Sequence, residues 1–412
     1  MRLLISFAAL FASVLLLQLG SGGVAPLDAV SGLELHFTKA QVGMLGSAHF
    51  LGFFIGCWWA PRLMGSIGHS RAFAACASAG AIGMLAHMMW VDPMAWAGFR
   101  VLSGLSVAGC YTVIESWLQG KLTNETRGRA TGVYRVVDVS GSLVAQLLIS
   151  VLPPASYMSY NLLAIFCCAA LLPLTLTRAD QPATPAAPRL RPRLAFECSP
   201  LGSMGVIVSG ITGAAFRMVG PIYGIAVGLS TGEIALFLAA YVAGGGLAQI
   251  PVGWLADKYD RRMILVWLSI GAILACFATI ALSGAGTAGV MIGAGLFGFT
   301  TIPIYSVASA HGHDYARPDQ RVELSAAQMF LYAVGAIASP VVMSALIAAQ
   351  GPKAMFVLIM AVHALLIVFG LTRMRARPSV ARTSYVYVPR TSFLIGRLLG
   401  KARDRAPGEA GE

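Results

Sequence analysis

Arg100, Glu115, Arg135, Asp138 and Arg217 each fall inside a long apolar run, and His49 lies in another. A charge held in hydrocarbon costs roughly 2.5–3.5 kcal/mol or more if nothing pairs with it. These positions therefore point to chemistry: carrying a proton, binding an ion, or neutralising one another. Asp138 is the first candidate for a proton carrier, because a carboxyl drawn out of water must find a partner or give up its charge. His49 is the second, since imidazole titrates near neutral pH, although a lone helical His also serves as a hydrogen-bonded packing residue. His87 and His363 are read that way. At a rise of ~1.5 Å per residue, Glu115 lies about 6 Å and Arg135 about 9 Å from one end of their runs. Those depths suit an ion pair, either structural or part of a gate. Asp138 lies about 13 Å from the same end and Arg100 about 10 Å from the other. Arg217 is about 25 Å along its run. It either draws a carboxylate or phosphate oxyanion or extends its long stem to the nearer surface.

A second cluster is made for water rather than lipid. GWLADKYDRR, residues 253–262, packs Asp257, Lys258, Asp260, Arg261 and Arg262 between two runs that could each cross a bilayer. Charges at that density place the segment as a tight hairpin at a membrane face.

The elements that carry these residues follow from composition. The chain of 412 residues is 57% hydrophobic and 11% charged, against about a quarter charged in a soluble protein. That leaves too little polar surface for soluble domains, so most of the chain must face lipid. Apolar windows of about 20 residues fall near 3–26, 40–60, 72–91, 94–119, 130–152 and 159–177, then near 201–225, 234–256, 263–283, 286–310, 325–348 and 354–372. The expected fold is an all-α membrane protein of twelve transmembrane helices in two pseudo-symmetric six-helix bundles. The N-terminal bundle covers 1–177 and the C-terminal bundle 200–372. Residues 178–199, rich in Pro and Arg, are the cytoplasmic linker, and 373–412 form a basic cytoplasmic tail. The first twenty residues mimic a signal peptide, but the run is long and the repeat needs it as a span.

Orientation comes from Lys and Arg. They crowd the loops after even-numbered spans, the linker and the tail, whereas the other side has only Lys39 and Lys353. The positive-inside rule then places both termini in the cytoplasm, and a bacterial inner membrane is the expected location. The net charge of +12 is explained the same way and implies no nucleic-acid partner. In the tail, FLIGRLLGKARDR (393–405) mixes apolar and basic residues, as an interfacial helix or a solvated tail would. The seven cysteines lie mostly in apolar spans without zinc-ligand spacing and read as small hydrophobes.

The halves look duplicated. An offset of about 192 aligns PRLMGSIGHS (61–70) with the hairpin, and nearby offsets align Tyr111 with Tyr305 and Pro26 with Pro221. The first-half copy has Gly65 where the hairpin has Asp257, so its charged latch is weaker or missing.

The hairpin with its Gly253 and Asp257, Pro26-Leu27, the RVLSGLSVAG segment from Arg100, Glu115-Ser116 and Arg127-Gly128-Arg129 together resemble the YcaD-type branch of the major facilitator superfamily. The resemblance covers nearly the whole chain. It implies that Asp257 meets the start of span five beside Arg127 and Arg129 and holds the cytoplasmic gate shut. RVLSGLSVAG resembles the fourth-helix motif of proton-coupled members, which implies an Arg100 that faces the cavity and tunes Asp138. It also implies that Gln18, Tyr111, Gln249, Tyr305 and Gln328 lie on spans lining the cavity, where each binds substrate or joins helices.

No phosphate-binding loop, nucleophile elbow or metal-ligand cluster is present in the sequence, so neither an enzyme nor an ATP-driven pump is expected. The expectation is a monomeric, proton-coupled exporter of a small organic molecule, with the proton gradient in place of a cofactor and the lipid bilayer as its surroundings. The alternatives are uptake of a small organic anion or sugar-like solute, and a non-transporting membrane receptor of the same fold.

Overall fold

A chain that leaves water must pair every backbone amide internally, and an apolar run does so as a helix. In the computed structural model, which describes residues 2–121, 127–176, 190–284, 286–317 and 320–376, those runs are helical. The first half contains α1 (Arg2–Ser21), α2 (Val24–Glu34), α3 (Lys39–Ile67), α4 (His69–His87), α5 (Pro93–Lys121), α6 (Arg127–Leu148), α7 (Tyr157–Ala169) and α8 (Leu171–Leu176). A short α9 (Pro192–Cys198) precedes the second half. There, α10 (Pro200–Ala214), a π turn (Ala215–Val219) and α11 (Gly220–Ala226) lead to α12 (Thr231–Lys258), α13 (Arg261–Leu282), α14 (Thr287–His313), α15 (Arg321–Gln350) and α16 (Lys353–Ala376).

Among the described residues, ten of these segments are long and apolar enough to span a membrane. The helices α4 and α6 occupy the third and fifth places but fall outside that set. The sequence of α6 gives the reason, since it carries Arg127, Arg129, Arg135 and Asp138. Span one is longer than the window 3–26. It continues through a break at Gly22–Gly23 to Glu34, because α1 and α2 together form one crossing. The tail beyond Ala376, including 393–405, and linker residues 177–189 lie outside the described residues. The rest of the linker forms α9, which buries Leu194 and Ala195 and is tied to α15 by an Arg191–Glu323 ion pair of 3.0 Å.

The duplication is visible in local structure. Thr38 with Gln41 and Ser230 with Glu233 form capping boxes at the starts of α3 and α12, in both cases 192 residues apart. The turns before them carry positive φ at His36 and Gly228, again at that spacing. Close approaches repeat as well. Gly104 of α5 lies against the His49 carbonyl of α3, and Gly298 of α14 against the Tyr241 carbonyl of α12. Neither contact leaves room for a Cβ.

Helices α3–α5, α4–α5, α1–α6 and α4–α7 pack within the first half, and α12–α14, α10–α15, α13–α14 and α13–α16 within the second. The halves meet through α3 with α15 and through α6 with α12. Away from the face that bears the 258–261 hairpin, α2 also packs on the π turn and α11. Gly43 lies against Ser344 and Pro340 there. A Cβ at Gly46 would stand 2.7 Å from the Met218 Cβ. These contacts bring the halves together at the end far from the hairpin.

Candidate functional site

Between the halves lies a cavity whose lining runs from Arg100 and Arg217 at the far end to Glu115 and Gln249 toward the hairpin face. Two prolines shape its far end. A proline has no N–H to give the carbonyl four residues earlier. In the first half, Pro26 leaves the Gly22 carbonyl without that donor; the helix breaks there, and Gln146 Nε2 donates to the carbonyl at 3.1 Å. In the second half, Pro221 stands four residues after Arg217, and the chain answers with the π turn at 215–219. An extra residue is accommodated in the helix, and Arg217 is displayed, exposed, on the cavity wall. Arg217 thus lines the cavity and is not drawn away to the outer surface.

Asp138 is held by three donors. Gln18 Nε2 of α1 donates at 2.7 Å and Tyr111 Oη of α5 at 2.8 Å, both to Oδ1. Arg135 Nη1, three residues earlier on α6, reaches Oδ2 at 2.8 Å. The carboxylate remains on the cavity wall with its side chain 14% exposed. Arg135 therefore pairs along its own helix. Glu115 is buried and accepts from Tyr134 Oη at 3.4 Å.

Arg100 has a different carboxylate partner from the expected Asp138. Its Nε lies 3.3 Å from Asp28 Oδ2, with both side chains almost fully buried. Tyr160 Oη donates to Asp28 Oδ1 at 2.9 Å, and His87 Nε2 stands 3.6 Å from the same oxygen. His87 Nδ1 lies 2.6 Å from the Gly83 carbonyl, so that nitrogen carries the proton and Nε2 is the one turned to Asp28. The His87 ring stacks on Tyr160 at 5.0 Å. Sequence reasoning missed Asp28 because it placed the end of span one before it. The only signal was Pro26, two residues earlier, which marks a kink within a helix as readily as an end.

His49 lines the cavity, and its Nδ1 has no hydrogen-bond partner among the described residues. Gln249 also lines it, with Nε2 donating to the Gly245 carbonyl at 3.4 Å. Two expected lining residues lie elsewhere. Tyr305 is buried against Tyr332, ring centroids 5.4 Å apart, and it is Tyr332 that reaches the cavity. Gln328 joins helices: its Oε1 accepts from Ser309 Oγ at 2.7 Å and its Nε2 donates to the Ser309 carbonyl at 3.2 Å.

The hairpin's described contacts lie mainly within the second half. Buried Arg261 bridges Asp314, at the end of α14, and Asp257 at 3.5 Å, and donates to the Ala310 carbonyl at 3.3 Å. Arg262 forks onto Asp260 at 3.1 and 2.7 Å, while Asp260 also caps α13. Burial works against the Asp260 charge, but hydrogen bonds from the Arg262 side chain and backbone, with its positive charge, outweigh it and hold the carboxyl below its ordinary range. Lys258 lies 4.9 Å over the Trp254 ring. Gly253 is buried near the end of α12, and Asp257 is nearly half exposed. The side chains of Arg127 and Arg129 lie outside the described residues, so the Asp257 latch onto them does too. Gly232 faces Ser150 and Gly246 faces Val139 across the antiparallel α12–α6 pair.

All seven cysteines are free and only Cys168 is exposed. The described residues hold no cluster of three or more metal-ligating side chains.

Comparison with known proteins gives one consistent answer. The model of the Major Facilitator Superfamily matches residues 10–204 and again 202–399. An uncharacterised MFS-type transporter of Enterobacter sp. (strain 638) is 29% identical over 324 residues, 78% of this chain and 84% of the relative. The uncharacterised MFS-type transporter YcaD of Escherichia fergusonii is 27% identical over 358 residues, 86% and 92% of the two chains. Among solved structures, the nucleoside transporter NupG superposes with a TM-score of 0.68 at 17% identity, covering 89% of this chain and 97% of its own. A bacterial homologue of the human lysosomal transporter Spinster, inward-facing and occupied, gives 0.67 at 15% identity, covering 97% and 96%.

Proposed function

Because this chain belongs to the major facilitator superfamily, a family of secondary transporters, we propose that it moves a small organic molecule by alternating access, coupled to protons through Asp138. The observation that carries the coupling is the setting of that carboxylate. It is within the cavity wall, and donors from three helices, Gln18 of α1, Tyr111 of α5 and Arg135 of α6, converge on it. A proton arriving on Asp138 removes the charge that holds Arg135 and weakens its hold on Gln18 and Tyr111, since bonds to an ionised acceptor are roughly twice as strong as neutral ones. Protonation is thereby tied to the packing of α1 and α5 on α6, which is what coupling requires.

Export fits the cavity best. Its lining reaches toward the basic hairpin face, the cytoplasmic side by the distribution of Lys and Arg. From there an exporter loads its solute. The inner membrane of a bacterium is the proposed location, with both termini inside.

The test is Asp138→Asn in proteoliposomes. Flux driven by a pH gradient should fall to background while solute exchange at equal pH continues. Unchanged pH-driven flux would remove Asp138 from the mechanism. A receptor with this fold would show no solute-dependent proton movement even in the wild type.

A further inference from the structure

We propose that Arg217 is an anion-binding subsite and that the solute is an organic acid. Its carboxylate, phosphate or sulfonate group would sit on this guanidinium, with an apolar body against Leu238, Tyr241 and Ile302. This rests on the reading of the cavity as the transport site and adds the chemical class of its cargo.

Four observations converge on it. First, the π turn is a local distortion that exists because Pro221 cannot serve the Arg217 carbonyl, and such turns concentrate at functional sites. The equivalent break in the first half, at Gly22, is closed off by Gln146, so only the second-half copy presents a charged side chain. Second, Arg217 is exposed to the cavity, and it is the one charged residue among the described second-half residues that line it. Third, Leu238, Tyr241 and Ile302 of the same half line the cavity with Arg217. A fixed positive charge on a wall with these apolar faces is complementary to an amphipathic anion. Fourth, His49 lines the same cavity, and its Nδ1, buried in this structure, has no hydrogen-bond partner among the described residues. The planar guanidinium fork fits a carboxylate or phosphate edge with two parallel N–H bonds, which an ammonium cannot reproduce.

The experiment compares matched probes on the purified full-length protein at constant ionic strength. Benzoate is set against benzamide, phenylacetate against phenylacetamide, and phenyl phosphate against phenol, by thermal melting. At least one acid should raise the melting temperature where its neutral twin does not, since a ligand of the folded state raises apparent stability. Arg217→Gln should weaken that acid roughly ten- to a hundred-fold, the loss expected for a charge-assisted bond. Arg217→Lys, which keeps the charge but not the planar fork, should fall between them. Equal shifts from acid and neutral twin would overturn the proposal, as would acid shifts that persist in Arg217→Gln or no shift from any acid. Acid binding lost in Arg217→Gln, with no acid flux in proteoliposomes, would keep the anion site and remove transport. The two failures are therefore distinguishable.

Discussion

Asp28 joins three helices to its own. Its oxygens face Arg100, Tyr160 and His87, from three other helices, at a site with almost no access to water. Removing one partner of a buried pair leaves the other charge uncompensated, at a cost of about 3–5 kcal/mol. Arg100→Gln should therefore lower the melting temperature of the detergent-solubilised protein sharply. The double variant with Asp28→Asn should recover most of the loss, and a double variant as unstable as the single one would show that the pair is not the reason. Asp260 offers a contrasting prediction at the membrane face. Its carboxyl is held below the ordinary value of 3.8, so it contributes stability above that pH and loses it as pH falls through its lowered value. Asp260→Asn keeps a side chain able to cap α13 but loses the charge. The gap between wild type and variant in a melt should close as the pH is taken below that ordinary value. The Arg135–Asp138 contact was within reach of the sequence, because residues three apart on a helix share a face, but the depth argument pointed Arg135 to Glu115 instead. It could not reveal Asp28 with Arg100, since that meeting depends on how α2 continues beyond its kink. The sites of Tyr305 and Gln328 were hidden for another reason: their helices are apolar on all sides, so no polar stripe marks which face turns to the cavity.

Helices in lipid have no hydrophobic force driving them together, so close backbone packing must supply the cohesion. Here that cohesion lies in the Gly104–His49 and Gly298–Tyr241 approaches. Gly98, on the same helix as Gly104, has nothing within 4 Å of its notional Cβ. Gly104→Ala should therefore reduce the yield of folded, monodisperse protein, while Gly98→Ala leaves it unchanged. Equal tolerance of the two would mean that α3 and α5 can part without penalty. Gly298→Ala should behave like Gly104→Ala, since the second half repeats the seam. The order of the helices and ten of the spans were readable from hydropathy, and the repeat from its offset, whereas the π turn was not. A proline after an arginine is compatible with a kink, a break or an extra residue, and only the surrounding packing chooses among them.

For the whole molecule, alternation requires that the far-end contacts part when the hairpin face closes. Gly43 and Ser344 sit against each other across the two halves. Gly43→Ala, whose Cβ would stand 2.6 Å from the Pro340 carbonyl, should disfavour this closed contact and raise labelling of cavity cysteines from the far side. Unchanged labelling would show that this contact does not hold the far end shut. Asp257→Asn should shift labelling of cavity cysteines toward greater access from the hairpin face, by loosening whatever its carboxylate holds at the start of α6. Equal labelling in the two proteins would leave Asp257 a role only with Arg261. The glycine seams bear on this motion too. Where two backbones touch, neither helix can slide or tilt alone, so each half turns as a stiff beam. Under the proposed mechanism, a displacement that begins with one proton or one solute near the middle would not be absorbed on the way. It would arrive at both rims, in opposite directions, as the ends of a seesaw move.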